Sequence, residues 1–142
     1  MNENLNQMLQ EKGIRLSSQR IAIFSYVAKN KNHPTVDDIY CALLPTNPSL
    51  SRTTVYNTLK LFSKKGLISI VRIEDDELRY DADTKEHAHF KCISCKRIFD
   101  IKEANVHLFA QECKNALPSR FCVQEVRVGV WGKCADCAEK EN

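Results

Sequence analysis

Residues 87–100 read HAHFKCISCKRIFD, which places His87, His89, Cys92, Cys95 and Asp100 within fourteen positions. A second Cys-x-x-Cys pair, Cys134 and Cys137, follows near the C-terminus. Each pair is expected at the end of a strand, where a tight turn presents two thiolates to one ion. Four sulfurs suit tetrahedral zinc, and a closed four-sulfur site is structural rather than catalytic. A disulfide redox motif would not be duplicated in this way. The stretch between the pairs has room for a helix and two strands, so the ion would staple the two ends of a subdomain. Seven cysteines is an odd count and fits a full disulfide framework poorly; paired Cys-x-x-Cys spacings in a reducing compartment point to metal. Cys41, Cys113 and Cys122 lack partners at ligand spacing and are expected to be buried small hydrophobes.

His87 and His89 are two apart, which on a strand puts both side chains on one face. Asp81 precedes them, Asp100 follows the cysteine pair, and His33 stands before a proline in the first half of the chain. Two or three imidazoles with two carboxylates suit ferrous iron or manganese better than a soft ion. The bare residues leave a second metal site and ordinary surface chemistry equally open.

The elements that must position these groups can be read outward from them. Before residue 72 the pattern is helical. Leu5, Met8 and Leu9 share a face, with Gly13 as a stop. A second helix starts at Ser17 or Ser18 and carries Ile21, Phe24, Val27 and Ala28. Thr35 followed by Asp38 resembles a capping box for a third helix, with Val36, Ile39, Tyr40 and Leu43 inward. Ser51 caps a fourth, which ends at Gly66. Two strand-like runs, LISIVRI and LRYDAD, flank the acidic turn Glu74, Asp75, Asp76 and Glu77 and make a hairpin. After residue 86, HAHFKC and KRIFDI read as strands. KEANVHLFAQECKNAL reads as a helix burying Val106, Phe109, Ala110 and Leu117. FCVQEVRVGVWGKC alternates as a strand.

On the fourth helix Val55, Thr58, Leu59 and Phe62 face a core, while Thr53, Tyr56, Asn57, Lys60 and Lys64 fall on the opposite face with no acidic residue among them. Hydroxyl and amide groups suit base edges in a DNA major groove, and lysines suit phosphates. A solvated face is the plainer alternative. Charge is unevenly placed: residues 1–72 carry ten Lys and Arg against four Asp and Glu, a balance of +6, and the remainder carries eleven against fourteen, or −3. A basic first half suits a polyanion. Three helices followed by a hairpin is the order of a winged helix-turn-helix. The acidic turn would be repelled by phosphates, so the wing tip is not expected to grip DNA.

The chain resembles the ferric uptake regulator (Fur) family, in its peroxide-sensing PerR branch. The resemblance spans nearly all of it: SQR at 18–20, HPTVDDIY at 33–40, TVYNTLKLF at 54–62, GLI at 66–68, RYD at 79–81, HAHFKC, CISC, Asp100 and CADC. It implies an α+β fold: a winged helix-turn-helix DNA-binding domain over 1–81, a hinge over 82–86, and a small α/β dimerisation domain over 87–142 stapled by the four-cysteine zinc site. It implies structural zinc at Cys92, Cys95, Cys134 and Cys137. It also implies a regulatory ferrous iron or manganese at His33, Asp81, His87, His89 and Asp100, with peroxide-driven oxidation at His33 or His87. The fourth helix, as the recognition helix, is expected to meet operator DNA through Arg52, Thr53, Tyr56, Asn57 and Lys60. An aspartate at position 100, where iron-responsive relatives usually carry glutamate, points to the peroxide-sensing branch. Ser17-Ser18 stands where the family usually has Thr-Pro, and Arg52-Thr53 replaces an apolar-small pair. Gln124 and Glu125 stand where many relatives carry histidine, so no further histidine-rich site is expected.

The resulting expectation is a homodimeric, metal-dependent repressor that binds double-stranded operator DNA and senses hydrogen peroxide, with no other small-molecule substrate and no enzymatic activity. The alternative on the same fold is an iron- or zinc-responsive repressor without peroxide sensing. A small metalloenzyme lacks a general base beside the ligands. A zinc-stapled interaction module would show no salt-dependent DNA affinity. With no signal peptide and no apolar run of membrane-span length, a cytoplasmic location and no membrane partner are expected.

Overall fold

A computed structural model describes residues 2–74 and 76–141; Asp75, in the acidic turn, lies outside them. The chain divides into two compact units, residues 1–84 and 85–142.

The first unit is a winged helix. Its helices are α1 (Asn2–Glu11), α2 (Ser18–Lys29), α3 (Val36–Leu43) and α4 (Arg52–Lys64), followed by an antiparallel hairpin of β1 (Ser69–Glu74) and β2 (Glu77–Asp81). Local signals set the helix ends. The Ser17 side chain accepts from Arg20 N, and the Ser51 side chain accepts from Thr54 N. Thr35 and Asp38 form a full capping box, which satisfies two otherwise orphaned N–H groups. Gly13 ends α1 with φ +68, and Ile14 N donates to Leu9 O behind it, a turn that glycine makes without steric cost. Leu9, Ile23, Phe24, Ile39, Val55, Leu59, Phe62 and Tyr80 fill the core. The Phe24 and Phe62 rings meet edge-on at 5.8 Å. Each such side chain contributes about 1.5–3 kcal/mol of burial.

One core contact also positions chemistry. Tyr80 N donates to Pro34 O at 3.0 Å. This ties β2 to the segment entering α3, and so brings the neighbours Asp81 and His33 together.

The second unit is a small α/β layer. Its sheet runs β4 (Ile98–Ile101), β3 (Ala88–Cys92), β5 (Gly129–Gly132). β3 and β4 are antiparallel; β3 and β5 are parallel, and a parallel pair needs a long crossover connection. That connection carries α5 (Val106–Ala116). A short α6 (Ala135–Glu139) follows β5.

Here the structure departs from the sequence reading in four places. The strand expected over 121–134 is confined to Gly129–Gly132, because a ladder exists only where the five-residue β3 runs alongside. The helix begins at Val106 rather than Lys102, since the Asn105 side chain caps it by accepting from Leu108 N. Phe109 and Leu117, expected inward, are 49% and 39% exposed, and only Val106 of α5 is buried. Among the described residues of the second unit, that face stays exposed. Cys41 and Cys122 are exposed and Cys113 half-buried, because each falls on the outer side of its segment rather than in a core.

Candidate metal centres and nucleic-acid face

The register of the small sheet assembles the sulfur cluster. Cys92 ends β3 directly opposite Gly132 of β5, two residues before Cys134. Ile93 N donates to Gly132 O at 2.8 Å and locks the strand ends together. Cys95 is returned towards Cys92 by a turn in which Lys96 takes φ 64, and Lys96 N donates to Cys92 O at 2.9 Å. As a result one sulfur from each of Cys92, Cys95, Cys134 and Cys137 lies within 4.8 Å of the others. The backbone N–H groups of Cys134 and Cys95 point at Cys92 Sγ, at 3.4 and 3.5 Å. They pull its thiol down to about 6, so it ionises at neutral pH, while the Cys137 thiol, hydrogen-bonded to Cys134 first among its neighbours, is pushed up to about 12. Four sulfurs this close, with N–H donors aimed at one of them, fit a tetrahedral divalent ion; thiolate ligands and tetrahedral closure match zinc.

Each unit also carries histidine and aspartate donors of its own. In the second unit β3 and β4 place His89 directly opposite Asp100. His87 Nε2 lies 3.1 Å from Asp100 Oδ1 and His89 Nε2 3.5 Å from the same oxygen. The two imidazole centroids are 4.5 Å apart. His87 Nδ1 donates to Lys85 O at 2.6 Å, since a carbonyl can only accept. In the neutral ring Nε2 then carries the lone pair and faces a carboxylate oxygen. Two imidazole nitrogens and a carboxylate converging in this way fit a cation between them, and the Nδ1–carbonyl bond fixes the tautomer that ligation requires.

In the first unit His33 Nε2 lies 3.3 Å from Asp81 Oδ2, with the two side chains 2% and 9% exposed. Asp81 Oδ1 accepts from Asp83 N at 2.8 Å. His33 adopts φ 57, a left-handed conformation that costs a non-glycine residue about 1–3 kcal/mol and is found mainly at functional sites. Arg79 holds it there. Its Nη1 donates to His33 O at 3.2 Å, while its Nε and Nη2 fork onto both carboxylate oxygens of Glu77 at 3.1 Å each.

The outer face of α4 presents Thr53, Tyr56, Asn57 and Lys60 to solvent, and its inner face buries Val55, Thr58, Leu59 and Phe62. Arg52 is placed differently. Its Nε donates to Asp37 Oδ1 at 2.6 Å and its guanidinium stacks 4.3 Å over the Tyr40 ring, so it reaches back to α3. A cleft of about 530 Å³ lies between the start of α2 and α4, lined by Arg15, Gln19, Arg20, Thr54 and Asn57 among others. Arg15 and Arg20 are absent from the residue set read off the sequence. The excess of positive charge before residue 72 was the available signal, but only the packing of α2 on α4 puts these two beside Asn57. No helix among the described residues is long and apolar enough to cross a membrane.

These features can be compared with known proteins. Over 136 residues, 96% of this chain and 92% of the relative, the sequence is 35% identical to the peroxide operon regulator of Bacillus subtilis (strain 168). It is 34% identical to the Streptococcus pyogenes PerR, whose structure was solved to explain peroxide sensing and gene regulation. That match covers 96% of this chain and 92% of the other, with a TM-score of 0.53. The Helicobacter pylori ferric uptake regulator shares the fold at 21% identity, a TM-score of 0.72, and coverage of 99% of this chain and 93% of that one. The ferric uptake regulator family model matches residues 11–127. The chain belongs to the ferric uptake regulator family.

Proposed function

We propose that this protein is a metal-dependent transcriptional repressor that senses hydrogen peroxide by iron-catalysed oxidation of a ligand histidine. The observation that carries this reading is the convergence of His87 Nε2 and His89 Nε2 on one oxygen of Asp100, in a chain whose relatives are named peroxide-responsive repressors. In the proposal His33 and Asp81 of the first unit complete the set, and all five residues hold one ferrous or manganous ion. Cys92, Cys95, Cys134 and Cys137 hold a separate, structural zinc.

Iron in the five-ligand site would supply the activation of hydrogen peroxide. The chain's own residues do the rest. His33, Asp81, His87, His89 and Asp100 would hold the ion through three imidazoles and two carboxylates, a donor set that suits ferrous iron or manganese. The Lys85 carbonyl keeps His87 in its Nε2-ligating tautomer, and Arg79 keeps His33 in its left-handed backbone. With iron bound, the ring of His33 or His87 would take up one peroxide oxygen, the other leaving as water. A ligand is thereby lost, and with it the tie between the units.

DNA is contacted by the face of α4 bearing Thr53, Tyr56, Asn57 and Lys60, with Arg15 and Arg20 beside it for phosphate. Arg52 contributes only by exchanging Asp37 for a phosphate. A symmetric dimer suits the second unit. Phe109 of α5, Leu117 just after it, Val130 and Trp131 of the edge strand β5, and Phe121 are all exposed, and apolar area of this kind is what a homodimer interface buries. A regulator rather than an enzyme also agrees with relatives named as repressors. None of the seven cysteines is in a disulfide, which agrees with a reducing compartment.

Mass spectrometry of iron-loaded protein after dilute peroxide tests the reading. A gain of one oxygen in the peptide containing His33 or His87 is expected. Intact histidines together with undiminished DNA binding would instead favour an iron-responsive repressor.

A further inference from the structure

The guanidinium of Arg97 joins the two halves of the sulfur cluster. Its Nε donates to Cys95 Sγ at 3.3 Å, and its Nη2 reaches Cys134 Sγ at 3.6 Å. The same Nη2 donates to Asp136 Oδ2 at 2.7 Å, and Asp136 lies inside the second Cys-x-x-Cys pair. One cation thus touches a sulfur from each pair and is held by a carboxylate of α6, between the cysteines of the second.

Position decides what this contact can do. Cys92 and Cys134 are buried, Cys137 is half-buried, and Cys95 is exposed. Arg97, with a side chain 53% exposed, therefore stands on the solvent side of the cluster, over its most accessible sulfur. Four thiolates around a divalent ion carry a net charge of −2. A permanently charged, planar fork is the side chain best suited to spread over two of them. A thiolate that accepts a hydrogen bond from a cation is also a poorer nucleophile towards an incoming oxidant.

We propose that Arg97 is a positioning residue of the zinc site: it clips the two cysteine pairs together and shields the Cys95 thiolate from the peroxide the protein must meet. The proposal rests on the four cysteines holding zinc. The reaction it suppresses is attack of thiolate on hydrogen peroxide. An S–O bond forms as the O–O bond breaks, sulfur loses two electrons to become a sulfenic acid, and the second oxygen leaves as hydroxide (RS⁻ + H₂O₂ → RSOH + OH⁻). A sulfenic acid is a weak zinc ligand, so the ion is released. With Arg97 in place peroxide chemistry is left to the histidine site.

The test uses full-length, zinc-loaded, iron-free wild type and Arg97→Gln, Arg97→Lys and Asp136→Asn variants. Zinc transfer to a chromogenic chelator is followed with and without millimolar hydrogen peroxide. Arg97→Gln should lose zinc about 10-fold faster than wild type in peroxide, the scale of an outer partner's effect on a metal site, with a much smaller change without peroxide. Arg97→Lys, which keeps the charge but not the fork, should lie nearest to wild type, and Asp136→Asn between it and Arg97→Gln. Release from Arg97→Gln at the wild-type rate, or equal acceleration with and without peroxide, would overturn the shielding role. Should Arg97→Gln fail to fold, the remaining pair decides: Asp136→Asn faster than Arg97→Lys in peroxide supports the proposal, and no difference overturns it. A wild type isolated without zinc would refute the four-cysteine reading itself, a result separable from failure of the Arg97 role.

Discussion

Arg79 Nη1 donates a hydrogen bond to the carbonyl oxygen of His33 at 3.2 Å, across 46 residues of sequence. A hydrogen bond from a charged donor contributes about 1.5–3 kcal/mol, much the same as the cost of the left-handed backbone at His33. The two balance, so Arg79 is what lets His33 stay in that conformation. Arg79→Ala should let His33 relax and weaken manganese binding by roughly 10-fold, as loss of a ligand's supporting partner does. Zinc content should be unchanged. Titration calorimetry with manganese checks this, and wild-type affinity in the variant would remove Arg79 from the site's support.

The sulfur cluster leads to a stability prediction. The second unit has a thin core: on α5 only Val106 is buried, and Cys92, Cys134, Ile98 and Ala88 make up much of the rest. Zinc binding there is coupled to folding. Cys92→Ser or Cys134→Ser should unfold this unit and abolish dimers while the winged helix, with its own core, stays helical. A zinc-free variant that remains a folded dimer by circular dichroism and gel filtration would show that the ion is no staple.

Much of this was legible in the sequence, and the parts that were not have physical reasons. The Cys-x-x-Cys pairs and the His87/His89 alternation are local patterns, and the caps at Ser17, Thr35 and Ser51 are read from single residues. What failed depends on neighbours. Phe109 and Leu117 have the periodicity of a buried face, but periodicity cannot say whether the cover comes from the same chain. Residues 121–128 alternate like a strand, yet β3 is too short to pair with them. The left-handed backbone at His33 has no signature, because the residue before a proline is expected to be extended. Arg79 and Arg97 look like ordinary surface charges until the fold brings His33 and Cys134 to them.

The recognition face separates two kinds of contact. Lys60 is exposed on α4 one turn from Asn57. Lys60→Ala should weaken binding to all sequences and flatten the salt slope by about one unit, as for the loss of one phosphate contact. Asn57→Ala should instead relax base preference, an amide being suited to base edges. Fluorescence anisotropy on operator and scrambled duplexes over a salt series reads both. Unchanged affinity and selectivity in both variants would move the DNA surface off this helix.

The carboxylate of Asp100 faces both His87 and His89 with the same Oδ1, at 3.1 and 3.5 Å. Asp100→Glu adds a methylene and cannot keep that oxygen in reach of both rings in the same geometry. The altered coordination should leave metal-dependent repression while slowing peroxide response by about 10-fold or more, the scale on which displacement of a reacting group by about 1 Å acts. DNA release by iron-loaded protein in dilute peroxide measures it. Release as fast as in wild type would take away the main support for assigning peroxide as the signal.

The last prediction concerns His33, which belongs to the first unit while His87, His89 and Asp100 belong to the second. An ion held by all of them must tie the units across residues 82–86. It can favour one arrangement only through its different affinity for the two. The arrangement that represses is expected to set the two α4 helices of a dimer about 34 Å apart, one turn of B-DNA. His33→Ala removes a proposed ligand and the imidazole that faces Asp81 Oδ2, but leaves Asp81 Oδ1 its hydrogen bond from Asp83 N. The variant should keep its zinc, fold and dimer, and lose metal-dependent operator binding. Small-angle scattering should show wild type compacting when manganese is added and the variant failing to do so. Equal compaction in both would mean that His33 is not the bridge, and the switch would have to be sought in the second unit alone.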